Sequence, residues 1–123
     1  MTADTVRDTA AIESWHAHVY FDADTAAPAR ALYGRIEAAF PAAEMGRFHE
    51  KPVGPHPMWS YQVAFGPDLL TEILPWLALN RGALDVFVHP NTGDDLADHR
   101  DHVVFLGRSY PLTLSIFNKD NAS

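Results

Sequence analysis

The chain has 123 residues, 47% hydrophobic and 20% charged, which is the size and composition of one ordinary globular domain. Nine basic against sixteen acidic residues give a net charge of -7, a field that disfavours nucleic acid and anionic membrane surfaces. Cysteine is absent, so disulfides, thiolate nucleophiles and zinc-cysteine sites are excluded and any reactive or metal site must use His, carboxylate, Tyr or Ser.

No apolar run approaches the ~18 residues of a membrane helix. The opening "MTADTVRDTAAIES" has no basic stretch followed by an apolar block and reads as no secretory signal. A cytoplasmic location is expected. The expected organisation is a loosely held arm over 1–13, a single domain with a C-terminal extension over 14–117, and a tail over 118–123.

In chain order, "SWHAHVYFD" alternates Trp15, Ala17, Val19 and Phe21 with His16, His18 and Tyr20, the period of two that marks a strand with unlike faces. "DADTAAPARALYGRIEAAF" follows as a helix. Thr25 or Asp24 is placed to cap it, Pro28 sits in its first turn, and Leu32, Ile36 and Phe40 recur at helical spacing before Pro41 ends it. "EMGRFHE" reads as a second strand, and the Pro/Gly-rich "KPVGPHP" as a turn. "MWSYQVAF" is a third strand, with Trp59, Tyr61, Val63 and Phe65 opposite Ser60, Gln62 and Ala64. "GPDLLTEILPWLALNRG" predicts a second helix that Pro75 must kink or split. "LDVFVHP" is a fourth strand, followed by a turn and a short acidic helix or loop, and a last short strand is expected around 112–117.

The order β-α-β-β-α-β predicts an α+β, ferredoxin-like fold: a four-stranded antiparallel sheet, order 4-1-3-2, with two helices on one face. One parity of each strand then packs on the helices. The other forms an open face with His16, His18 and Tyr20; Arg47 and His49; Ser60 and Gln62; Asp85, Phe87 and His89.

A polar open face is normal for such a sheet, but four imidazoles on it are not. The first strand runs antiparallel to the fourth, so His16 lies near His89. With ~7 Å between residues i and i+2 and ~4.8 Å between strands, imidazoles at 16, 18 and 89 are within reach of one cation. His49 belongs at the far end, placed to face a substrate lying over His18 and Tyr20 together with Arg47. By themselves, His56 reads as a loop residue and His99 and His102 as one solvated helix face. Asp98 is a candidate late carboxylate ligand, while Asp85 sits at the wrong end of the sheet. No Gly-rich phosphate loop is present, and Ser60 has no triad spacing.

With these residues assembled, "WHAHVYFD", "GRFHEKPVGPHPMWSYQVAF", "PWLALNRGALDVFVHPNTGDDLADH" and "VVFLG" resemble the DOPA 4,5-dioxygenase family, over about Trp15 to Gly107. The resemblance implies the ferredoxin-like fold already expected and extradiol cleavage of a catechol by non-haem iron(II) and dioxygen. Zinc or another divalent metal is able to take the iron's place in purified protein. It assigns His16, His18 and His89 as ligands, His49 and Tyr20 as catalytic groups, and Arg47 and His56 as substrate-binding residues. Arg47 meets an anionic group of the substrate. The common non-haem iron set of two His and one carboxylate finds no carboxylate at the right level of the sheet, leaving a three-His site or one completed by Asp98. Partners are a small catechol and O2, with no nucleic acid or membrane. A homodimer is expected, which a monomer by light scattering at micromolar concentration would contradict. Against this stand a metal- or small-ligand-binding domain without turnover and a metal-free monooxygenase.

Overall fold

The structure, a computed structural model, describes residues 5–117; residues 1–4 of the arm and the whole 118–123 tail lie outside the described residues. Strand β1 (Ser14–Phe21) is followed by helix α1 (Ala26–Ala39), β2 (Glu44–Met45), β3 (Trp59–Phe65), α2 (Leu70–Asn80), β4 (Asp85–Asn91), α3 (Asp95–Arg100) and β5 (Val104–Leu106). All pairings are antiparallel and the spatial order is β2-β3-β1-β4-β5. The first four strands therefore keep the expected ferredoxin-like order, and a fifth strand is added beside β4.

The hydrophobic parity of β1, β3 and β4 packs on the helices as the alternation requires. Ala17, Val19, Phe21, Tyr61, Val63, Val86 and Val88 meet Ala29, Leu32 and Ile36 of α1 and Ile73 and Leu77 of α2 in one buried cluster. Tyr61 ends in this core, and its hydroxyl donates to the Ala29 carbonyl at 2.9 Å. That bond removes the cost of burying a phenol.

Several local expectations are corrected. The sheet has five strands, not four. The second strand is far shorter than "EMGRFHE": past Met45, Gly46 still donates to the Gln62 carbonyl, but pairing resumes only at an isolated bridge between His49 and Ser60. No strand forms at 112–117, where Phe117 N–H turns back to the Leu114 carbonyl. The final strand lies earlier, where Phe105 pairs with Phe87. Thr25 is the N-cap of α1 but makes no side-chain cap bond. Instead the Asp22 carboxylate accepts the Asp24 and Thr25 N–H groups and the Thr25 hydroxyl. Pro75 does not split α2, which runs through it. The proline is exposed, so the carbonyl its missing N–H leaves free is placed towards water.

The larger correction concerns the open face, which is roofed. The Pro-rich turn around His56 and the segment after β5 meet over it, joined by the Thr113 N–H on the Pro55 carbonyl at 2.8 Å. The second segment is anchored by Asp85, whose carboxylate accepts the Arg108 N–H at 2.8 Å and the Tyr110 hydroxyl. Gly107 makes that approach feasible. It has φ +88, and a Cβ there would collide with the Asp85 carboxylate and the Arg81 guanidinium.

Candidate metal centre

Pairing register sets the site. His16 lies directly across from His89 on β4, His18 from Phe87, and Tyr20 from Asp85, all on the face away from the helices. The predicted trio is brought together: ring nitrogens of His16, His18 and His89 all lie within 4.8 Å of one another. The Nε2 atoms of His18 and His89 are 3.2 Å apart. His89 Nδ1 lies 2.9 Å from the Pro90 carbonyl, an acceptor only, so Nδ1 carries the proton and Nε2 turns its lone pair inwards.

Burial decides the protonation of these rings. His18 is pushed well below the ordinary 6.5 by burial and then by the neighbouring imidazoles of His56, His89, His16 and His99. His89 is lowered to about 3, chiefly by burial, against the opposing effect of its bond to Pro90. His16, the most accessible, is lowered by burial and by His99, with Asp95 pulling the other way. Three neutral imidazoles with ring nitrogens this close are a donor set for a divalent transition metal, which would replace the proton shared between His18 and His89, and imidazole suits iron, zinc, copper and nickel alike. The residues fit a bound metal.

His56, a loop residue by sequence, is buried with its ring centroid 4.1 Å from that of His18. Its Nδ1 lies 2.7 Å from the Tyr20 hydroxyl. Burial and then Tyr110 push the Tyr20 phenol above its usual value, whereas burial lowers His56 to about 4. With both groups neutral, the phenol is the stronger donor and the imidazole nitrogen the stronger acceptor, so the hydroxyl donates to Nδ1 and the proton of His56 sits on Nε2. Tyr20 thus touches the site through His56.

Arg47 and His49 are brought to the same place: with His18, His56, Ser60 and Gln62 they line a pocket of about 190 Å³. Asp98 is not brought there. It is fully buried at the start of α3's contact with β4, where it accepts the Thr92 N–H and hydroxyl, both at 2.7 Å, and faces His102 Nδ1 at 3.2 Å. Burial alone would raise this carboxyl, but the Thr92 bonds and His102 hold it below its usual range. Asp98 ties α3 to the end of β4 through both carboxylate oxygens and is not part of the cluster of ligand atoms formed by the trio.

Sequence reasoning missed His99 and Tyr110. His99 does not face solvent: its ring centroid is 4.0 Å from His89 and 4.5 Å from Phe117. Tyr110 packs edge-on against Tyr20. The signal for His99 was its place in "DHRDH" one turn after His89; nothing in the pattern showed that the helix folds back over the strand.

The site and sheet together define an α+β protein with a buried histidine cluster able to hold a metal. Comparison places it more narrowly. The model of the Dopa 4,5-dioxygenase family matches residues 15–116, and the chain belongs to that family. It is 35% identical to DOPA 4,5-dioxygenase of Amanita muscaria over 112 residues, covering 85% of this chain and 49% of the relative. It is 40% identical to an uncharacterised 21.2 kDa protein of Botryotinia fuckeliana over 99 residues, covering 74% and 54% respectively. The chain thus spans about half the length of these curated relatives. A crystal structure of a Nostoc punctiforme protein, provisionally called a dioxygenase, superposes with a TM-score of 0.81 at 40% identity, covering 94% of this chain and 99% of that one. Among the described residues, no helix is long and apolar enough to cross a membrane.

Proposed function

We propose that this chain is an iron(II)-dependent extradiol dioxygenase that opens the ring of DOPA or a related small catechol, with His16, His18 and His89 as the metal ligands. The observation that carries this reading is the convergence of three neutral imidazoles beneath a roof, beside a pocket with a cationic rim. The family membership and the Amanita relative support the reaction class.

Iron(II), when bound, supplies the centre at which catechol and dioxygen exchange electrons. The chain's own residues do the rest. Arg47, exposed and without a partner among the described residues, attracts an anionic substituent of the substrate at the pocket mouth. His49, on the same wall, takes or gives protons during ring opening. His56, its tautomer set by Tyr20, presents Nε2–H as a hydrogen-bond donor to a substrate oxygen. Phe87, fully buried beside His18, and Tyr110 exclude water from the inner end of the site. Exclusion of water strengthens each of these polar contacts.

The test is direct. Protein purified without chelator, loaded with Fe(II) anaerobically and then given DOPA and air, yields the yellow ring-opened product with one O2 consumed per catechol. Stoichiometric metal binding without oxygen uptake on any of several catechols would refute the enzyme reading and leave a metal-binding domain.

A further inference from the structure

The roof over the site is made of two segments without strand pairing, and few bonds hold them. Among the described residues, the Pro-rich turn over 51–57 makes two hydrogen bonds to the rest of the chain. The Tyr20 hydroxyl donates to His56 Nδ1 at 2.7 Å, and the Thr113 N–H donates to the Pro55 carbonyl at 2.8 Å. The strap over 108–117 supplies Thr113. Its own hydrogen bonds to the sheet, among the described residues, all go to Asp85.

Strand register sets Asp85 directly across from Tyr20, and its side chain is buried. One carboxylate oxygen accepts the Arg108 N–H at 2.8 Å, and the other accepts the Tyr110 hydroxyl. The Arg81 guanidinium, donating to the Leu84 carbonyl at 2.8 Å, pairs with the same carboxylate at 3.9 Å. Tyr110, held in this way, lies edge-on to Tyr20 with ring centroids 5.4 Å apart. It helps to bury Tyr20 to 1% exposure, so that water does not compete for the bond to His56. His56 in turn rests 4.1 Å from the His18 ring.

We propose that Asp85 is a positioning residue of the site: by fixing Tyr110 and the strap, it holds the Pro-rich turn so that His56 stays over His18 with its proton on Nε2. Asp85 touches neither the histidine trio nor the pocket that Arg47 and His49 line. Each link in the chain is a single contact, so a loss at Asp85 is passed on. The strap gives up its bonds to the sheet, and the turn keeps only Tyr20. The effect of Asp85 on turnover rests on the substrate role proposed for His56; its effect on the His56 ring does not.

Nitrogen-15 correlation spectra of the histidine rings in the full chain, with and without Zn(II), read His56 directly, and His56→Gln assigns its signals. Wild type should show one neutral form protonated on Nε2. Asp85→Leu removes both acceptor oxygens, and Tyr110→Phe keeps the ring but loses one bond; each should shift and broaden the His56 signals. Asp85→Asn, which keeps one acceptor, should fall between Asp85→Leu and wild type. Zn(II) stoichiometry should be unchanged, while kcat/KM for the catechol with Fe(II) should fall about 10- to 100-fold, mainly through KM. Circular dichroism checks the fold of each variant. Wild-type His56 signals in folded Asp85→Leu would overturn the proposal; if that variant does not fold, wild-type signals in Tyr110→Phe would do so. Loss of Zn(II) binding along with the His56 signals would also overturn it, making Asp85 a support of the whole fold. Wild-type protein without oxygen uptake would remove the enzyme reading, and the His56 spectra would still decide the role of Asp85.

Discussion

On the helix side of the sheet, Ala17, Val19, Val63 and Val86 are buried against Leu32, Ile36, Ile73 and Leu77. On the other side, His18, Tyr20, Phe87 and His89 are also buried, with His89 at 1% exposure, yet most carry polar atoms. The helix side gains stability from apolar area removed from water and needs no particular partner atoms. The site side is buried by a loop and a chain segment whose polar groups must each be matched, and every fully buried side-chain nitrogen and oxygen among the described residues has a partner. Equal burial therefore serves different ends: cohesion on one face, and imidazoles held neutral and ready for a metal on the other.

Paired truncations separate the two faces most strongly. His18→Ala should abolish stoichiometric metal binding while leaving the thermal midpoint within a few degrees of wild type. Leu77→Ala, in the opposite face, should cost about 2–5 kcal/mol in urea unfolding and leave metal stoichiometry unchanged. Metal content unaltered in the first variant would remove the functional half of the comparison.

Acid sharpens the contrast. An unfolded imidazole titrates near 6.5, whereas in the fold His56 lies at about 4 and His89 at about 3. Below 6.5 the unfolded chain thus binds more protons than the folded one. The stability tied to these rings is fully present above pH 6.5 and is lost as pH falls towards their folded values. Each contributes a slope on the order of 1.4 kcal/mol per pH unit, so the metal-free protein should lose roughly 2 kcal/mol per histidine between pH 7 and pH 5. Urea midpoints that do not change across this range would show that the roof does not keep the imidazoles dry.

The smallest effect is local. Tyr20→Phe removes the donor to His56 Nδ1 and should cost about 1 kcal/mol in urea unfolding, with metal affinity retained. A loss as large as that of Leu77→Ala would mean that the polar face carries cohesion as well.

Much of this was legible in the alternation of "WHAHVYF" and "VFVHP", because a period of two assigns every residue of a strand to one face without knowledge of its neighbours. The βαββαβ order then placed His16 opposite His89, and the register agrees. Arg47 and His49, expected at the far end of the open face, line a pocket together with His18. The roof was not legible. The Pro-rich turn and residues 107–117 have no periodicity, and their positions come from single long-range bonds such as Thr113 to Pro55 and Tyr110 to Asp85. The short helix α3 was anticipated as a helix or loop, but its rotation was not: His99, read as part of a solvated face, stacks on His89, and Asp98, left open as a late ligand, is buried against Thr92 and His102.

The sequence by itself determined the strands, their two faces, the fold order and the histidine trio, since these follow from local periodicity and from a topology with few alternatives. Only the tertiary structure decided which face would be dry, which carboxylates would be tied up by other donors, and which tautomers His56 and His89 would hold. Those outcomes depend on contacts between segments distant in sequence, and a partner at 2.7 Å leaves no trace in the residues on either side of it.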